Sequence, residues 1–551
     1  MASYDCYDRN VNRNFGYELD RGDYVLSLRK NSHEIADIEN AEFTFPLNKT
    51  VRISNDPTTN NRVSNRFTSY DIIAKQEDGS FDTKRINAYA NNAIDGSDAT
   101  EADVTYLSRN DFNSTFPQAK ERNRTGTVVA EAMDYVYDGF DVDAIPNIKQ
   151  GQTNTQHLLY VNENGGKATK SQLDTGTGIK PNKELILELG GDYNNSKWEE
   201  LLDQMTVEEL STLVNRGGYC TLSIESIGKK HMLENDGPSG LNRHNMEIDK
   251  TTSQTIDRSG WTMFSMPSVI GTSWNSFLAY SFGRSIGTEG VTVGVTGWYA
   301  PGANMQRSPF DGRNSEYYSE DSFLSGIMAS ETSKGAMSMG MNVYVKHFAV
   351  NETETNRTGL KTWLTEQNLR EIYLKPFEIA VKKGKANGMM SSFNRLGSTW
   401  TGGSHALMSD ILRDEWGFRG AVVTDYYSGG IMKMDQGLKA GNDLWLTGGQ
   451  NNAEGFGSTN DKVRVYFARI ACKNILFASC NAYYMHENRD KSLDTISVDL
   501  DQVIEREIPA PWWILWGLLP LDLVTIAGLS TWLYFILKKK KNNEGKINEN
   551  I

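Results

Sequence analysis

The chain has 551 residues, a formal charge of −13 and a sequence pI near 5.2. Its length suits roughly three or four domains of about 150 residues, or one large barrel with attachments. The acidic balance excludes an extended nucleic-acid footprint, since phosphate binding needs a basic face and the only dense basic run is Lys538 to Lys541.

Cys6, Cys220, Cys472 and Cys480 lack the paired spacing of a zinc site and the density of a disulfide framework. Cys472 and Cys480, eight apart on an amphipathic stretch, read as small buried hydrophobes. No metal, cofactor or redox chemistry is expected.

Within residues 1–50, Tyr24, Leu26 and Leu28 alternate with Val25, Ser27 and Arg29 after an Asp-Arg-Gly-Asp turn. Period two plus a turn signal reads as closing strands of a β-sandwich module, too short to stand alone. Residues 51–190 are rich in Asn, Asp, Thr and Gly and read as a linker, with VTYLSRNDFNSTFP at 104–117 as a strap that docks on a neighbour.

From Asp192 the texture changes. A helix is predicted over Trp198 to Val214, and then short strands (NVYVKHF, GMMSSFN, GAVVTD) alternate with helices such as LTEQNLREIYLKPFEIAVKK. That rhythm predicts an α/β fold with a (β/α)8-type barrel over 191–450. Residues 451–510 read as a terminal helix, about Lys462 to Tyr484, and a linker.

Trp512 to Leu537 is largely apolar, with Asp522 its only charge and four lysines following. Such a run exceeds the ~20 residues needed to cross a bilayer, so 511–537 is predicted to be a transmembrane helix and 538–551 a cytoplasmic basic tail. The expected localisation is the cell membrane, single-pass, with the catalytic part extracellular. The start, MASYDCYDRNVNRN, has no basic segment followed by an apolar one, so export by an earlier start or another route is expected.

In a barrel of this kind the reactive groups lie just after the strands. Asp425 follows the apolar run Ala421 to Val423 and precedes Tyr426 and Tyr427; the segment alone fits either a nucleophile beside a sugar face or a helix N-cap. Lys346 and His347 close a run in which Val343 and Val345 are expected to alternate inward, and they can donate hydrogen bonds to hydroxyls or serve a structural ion pair. His347 has no second His or Cys at ligand spacing. Asp236 opens an Asp-Gly-Pro turn, as a bidentate sugar grip or as an ordinary turn residue. The glycines of GGYCTLSIESIG are not followed by a GxxxxGK[ST] phosphate cradle.

Taken together, ENDGPSGLN, FSMPSVIGTSWNSFLAYSFGRSIGTEG, YAPGANMQRSPFDGRNSEYYSED, YVKHFAVNETETNR, MMSSFNRLG and GFRGAVVTDYYSG resemble glycoside hydrolase family 3, in that family's order. The resemblance implies a retaining β-glycosidase of β-glucosidase or β-xylosidase type acting on an oligosaccharide or aryl β-glycoside, with Asp425 forming a covalent glycosyl-enzyme. It implies that Asp236, Arg307, Lys346 and His347 grip hydroxyls of the terminal sugar, and that Arg313 and Glu316 shape the pocket.

Tyr426 departs from the tryptophan common after the nucleophile, and AVNETETNR stands where other branches carry a His dyad loop. ELDRGDYVLSL resembles the end of a fibronectin-III-like module in reversed-order members, which implies a chain beginning inside that module. There the general acid comes from an α/β sandwich domain, so the acid/base is expected from a missing or separate polypeptide. The alternative is a non-catalytic or decayed membrane-anchored glycan-binding protein.

Overall fold

In the computed structural model the described residues are 3–5, 16–31, 33–64, 66, 67, 70–75, 81–86, 133, 134, 136–138, 182–241, 261–364, 366–447, 453, 462–485 and 538. The chain divides into two units, 1–493 and 494–551. Of the second unit only Lys538 is described, so the apolar segment 512–537 lies outside the described residues, as do Cys6 and the strap expected at 104–117. Among the described residues no helix is long and apolar enough to cross a membrane.

The N-terminal strands form where the alternation predicts them. β1 (Ser3–Asp5), β2 (Gly16–Leu19) and β5 (Val51–Ile53) make a three-stranded antiparallel sheet, while β3 (Gly22–Ser27) and β4 (Glu42–Leu47) make a ribbon. The β structure therefore runs past residue 50, and β6 (Tyr70–Lys75) pairs with β7 (Phe81–Ile86) inside the predicted linker. The ribbon leaves Val25, Leu26, Phe43 and Phe45 exposed, so period two gives strands here without giving them a buried face.

Residues 54–67 then strap onto the barrel. Thr59 Oγ1 donates to the Glu415 carbonyl at 2.7 Å, Asp56 pairs with Lys382, and the Glu366 carboxylate accepts from the N–H groups of Arg66 and Phe67 at 3.0 and 3.2 Å. Arg370, buried between Glu366 and Glu415, donates to the Ser64 carbonyl at 3.0 Å.

Three helices lead into the barrel: α1 (Leu185–Leu189), α2 (Lys197–Asp203) and α3 (Val207–Asn215). The single helix predicted over 198–214 is thus two. Thr206 leaves the helical conformation and caps α3, its hydroxyl accepting from Glu209 N–H while the Glu209 carboxylate accepts from Thr206 N–H. This capping box satisfies two orphan donors and restarts the helix.

The sheet that follows has the order β16-β13-β11-β10-β9-β8, with β8 at Cys220–Thr221, β9 at Met232–Asp236, β10 at Val295–Tyr299, β11 at Asn342–Phe348, β13 at Gly388–Ser391 and β16 at Ala421–Thr424. A small side sheet joins β12 (Lys361–Thr362), β14 (Arg395–Leu396) and β15 (Thr399–Trp400). β9, β10, β11, β13 and β16 are parallel and β8 antiparallel, so among the described residues this sheet has six strands where eight regular βα units were predicted.

Backbone hydrogen bonds carry the sheet onward. Leu444 pairs with β16, Trp445 N–H donates to the Val214 carbonyl, Gly217 N–H donates to that of Trp445, and Glu234 N–H in β9 donates to that of Tyr219. The result is a TIM-barrel-like α/β fold whose reactive strand ends converge on one mouth.

Every residue of β10, β11, β13 and β16 is buried, which corrects the expected in-and-out alternation of Val343 and Val345. A parallel sheet covered on one face by helices and filled on the other by its own side chains has no solvent side. Outside it pack α4 (Pro267–Thr272), α5 (Ser276–Val293), α6 (Ser322–Ser338), α7 (Lys375–Lys382), α8 (Met434–Ala440) and α9 (Lys462–Cys480). Cys472 and Cys480 are buried on α9, as their spacing predicts.

Candidate active site

Asp236, Lys346, His347 and Asp425 lie at or beside the C-terminal ends of β9, β11 and β16. β9 delivers Asp236 into its Gly-Pro turn, where its Oδ1 accepts from Gly237 N–H at 2.7 Å and the turn is pinned by Trp298 Nε1 donating to the Gly237 carbonyl at 2.8 Å. Lys346, only 1% exposed, donates to the same Asp236 Oδ1 at 2.5 Å and stands 3.9 Å from Glu316 Oε2. A buried ammonium needs such partners, because an uncompensated charge here would cost several kcal/mol.

Arg313 and Glu316 sit on the loop after β10 and form a two-pronged pair, with Nε and Nη2 donating at 2.9 and 2.7 Å. Burial pushes the Glu316 carboxyl up, but Lys346 and the Arg313 fork outweigh it and hold it below the usual carboxylate range. Glu354 stands 3.7 Å from Arg313 and accepts from Arg357 at 2.8 Å.

Asp425 is buried at the mouth. Its N–H donates to the Ser391 carbonyl at 2.9 Å, its Oδ1 accepts from Tyr426 N–H at 2.7 Å, and its Oδ2 has no hydrogen-bond partner. Burial pushes this carboxyl up to about 6, while Arg313, the Tyr426 N–H, Lys346 and Arg357 act to keep it ionised. His347 Nε2 lies 3.7 Å from Asp425 Oδ2. Burial holds this imidazole well below its ordinary value, reinforced by Arg313, Lys346 and Arg357, so it is neutral.

The structure thus brings Asp236, Lys346, His347 and Asp425 together and leaves Arg307 apart. Arg307 is exposed and its guanidinium donates to Thr353 Oγ1 at 2.9 Å, whereas the guanidinium acting most strongly on Asp425 and His347 is that of Arg313, six residues on. Both arginines lie in one motif, MQRSPFDGRNSE, and only the loop path distinguishes them.

Sequence reasoning also missed Tyr219, which takes a left-handed φ of 55° and packs 5.7 Å from Tyr299. Burial raises its phenol pKa, and the charges of Asp236, Tyr426 and Asp425 add to this, which places it beside both carboxylates. A non-glycine residue in that backbone region inside a site was the signal, and it is invisible in sequence. Among the described residues no group of His, Cys, Asp and Glu side chains could hold a metal ion.

Residues 245–453 match the model of the glycosyl hydrolase family 3 N terminal domain. The chain is 34% identical over 251 residues to a β-glucosidase of Rhizobium radiobacter, a match covering 45% of this chain and 30% of that enzyme. It is 35% identical over 223 residues to an exo-α-(1→6)-L-arabinopyranosidase of Bifidobacterium longum, covering 40% and 29%. The structure of a β-glucosidase from Paenibacillus barengoltzii superposes on 88% of this chain and 47% of its own with a TM-score of 0.56 at 22% identity, which shows a shared fold.

A TIM-barrel-like α/β domain with acidic groups at its strand ends is the fold and site geometry on which this similarity falls. Over residues 245–453 the chain is similar to the N terminal domain of glycosyl hydrolase family 3. The match spans less than a third of the length of either curated relative.

Proposed function

We propose that the protein is a retaining exo-acting β-glycosidase in which Asp425 attacks the anomeric carbon and forms a covalent glycosyl-enzyme. The observation that carries this reading is the free Oδ2 of Asp425, buried at a strand end among Arg313, Lys346 and Arg357. A nucleophile needs one unencumbered oxygen, and the surrounding cations keep it ionised at neutral pH. Asp236, Lys346 and Arg313 would hold the hydroxyls of the terminal sugar, with Arg313 taking the part that the motif suggested for Arg307. The names of the relatives support a β-glucoside as substrate and leave an arabinopyranoside as a second pyranoside class.

The general acid is assigned outside the described barrel. A retaining pair of carboxyls stands about 5 to 5.5 Å apart, and the acid must hold a proton near neutrality. Glu316 is kept ionised by Lys346 and Arg313, and Asp236 is occupied by Lys346, so neither suits that part. A domain beyond the matched barrel, on this or a separate polypeptide, would supply it, and segment 512–537 would tether the whole to the cell membrane.

The test is a series of aryl β-glucosides of graded leaving-group pKa, given to the full chain. Good leaving groups should turn over while poor ones fall by ~100- to 10,000-fold. Equal rates along the series would overturn the missing acid, and no turnover of any member by a folded protein would favour a non-catalytic glycan-binding role.

A further inference from the structure

Asn304, fully buried in the loop after β10, touches His347 through both its side-chain atoms. Its Oδ1 lies 2.6 Å from the backbone N–H of His347, and its Nδ2 lies 3.0 Å from the His347 carbonyl oxygen and 3.1 Å from Glu352 Oε1. A backbone N–H only donates and a backbone carbonyl only accepts, so these two partners fix which atom of the amide is oxygen and which is nitrogen. Glu352, itself buried, secures the far side, since its Oε1 also faces Met305 N–H at 3.4 Å.

The same Asn304 Oδ1 lies 3.3 Å from His347 Nδ1. An amide oxygen cannot donate, so the contact is attractive only with the proton on Nδ1. The ring is neutral, as shown above, so one nitrogen carries the proton and the other a lone pair. With the proton on Nδ1 the lone pair is on Nε2, which lies 3.7 Å from Asp425 Oδ2.

We propose that the buried Glu352–Asn304 pair is a positioning device that fixes His347 as the Nδ1–H tautomer, so that Nε2, beside Asp425, presents a buried lone pair that only a hydrogen-bond donor can fill. His347 then reads a sugar hydroxyl by accepting its hydrogen, the reverse of the donor role that a lysine–histidine pair suggests from sequence. An analogue with an O-methyl ether or no oxygen at that hydroxyl leaves Nε2 buried and unpaired and is refused. A site built to pair with a substrate hydroxyl discriminates strongly against analogues lacking it. The consequence for substrate choice rests on the glycosidase reading; the tautomer does not.

The full chain, labelled with 15N-histidine and free of any glycoside, would be examined by imidazole nitrogen–proton correlation spectra at neutral pH, with His347 assigned by its loss in His347→Gln. The expected spectrum shows the His347 proton on Nδ1 and the unprotonated resonance at Nε2. A proton on Nε2, or an imidazolium, would overturn the proposal whether or not the protein is active. In Asn304→Leu the proton should move to Nε2, whereas Glu352→Gln, which keeps an acceptor for Asn304 Nδ2, should retain Nδ1–H. An unchanged tautomer in a folded Asn304→Leu would also overturn it, and the spectrum of the unsubstituted protein decides the matter alone if that variant does not fold.

Discussion

Asp425 is held in a conflict between burial and charge. Burial favours the neutral carboxyl and the cations around it favour the carboxylate, with the balance at about 6 against an ordinary 3.8. A folded-state pKa above the unfolded one means that the folded protein binds the extra proton, so stability is greatest below 3.8 and falls as pH rises through about 6. At neutral pH this costs roughly 1–3 kcal/mol, and Asp425→Asn should recover much of it. Urea unfolding on either side of that window should show the variant more stable than the parent at neutral pH and the advantage vanishing in acid. The kcat/KM of the parent should lose its nucleophile along the same acid limb, near pH 6. An advantage independent of pH would mean that Asp425 carries no such burden.

Among the elements, helices α5 and α6 pack so closely that a Cβ added at Gly283 would lie 1.9 Å from the Thr332 carbonyl oxygen, and one at Gly335 would lie 2.0 Å from that of Tyr280. Backbone meets backbone at both places, and no side chain can rotate away. Gly335→Ala should therefore destabilise the barrel by about 1–3 kcal/mol or more, despite its better helix propensity, and a shift of the denaturation midpoint would measure it. A stabilising outcome would show that the helices can part freely.

The strands were legible in sequence because a parallel sheet buried on both faces writes itself as short apolar runs ending in polar groups, as at Asn342–Phe348 and Ala421–Thr424. The break between α2 and α3 was written too, as Thr206 three residues before Glu209, but a helical periodicity reading passes over a capping box. What sequence could not settle is which of Arg307 and Arg313 turns inward, or which His347 nitrogen carries the proton. Both depend on where a loop brings partners from elsewhere in the chain, Glu316 for Arg313 and Asn304 for His347.

For the whole molecule, the N-terminal segment is tied to the barrel by buried polar chemistry as well as by Phe67, which packs into the barrel's apolar core. Glu366 accepts from two N–H groups of the strap and from Arg370, which reaches Glu415 and the Ser64 carbonyl. Removing one member of such a buried pair leaves the other uncompensated. Glu366→Ala should cost about 3–5 kcal/mol and make residues 54–67 sensitive to limited proteolysis. Unchanged stability together with a protected strap would place its anchorage elsewhere.

The proposed glycosidase needs Asp425 to work as a nucleophile even where the proton donor is supplied from elsewhere. A 2-fluoro glycoside with a good leaving group separates the two, since its first step needs little protonation of the departing oxygen and the intermediate accumulates. Intact-mass and peptide mapping after incubation with 2-fluoro glucoside and xyloside should find one glycosyl adduct, on Asp425 and absent in Asp425→Asn. A folded protein that gives no adduct, or carries it on another residue, would contradict a nucleophilic Asp425.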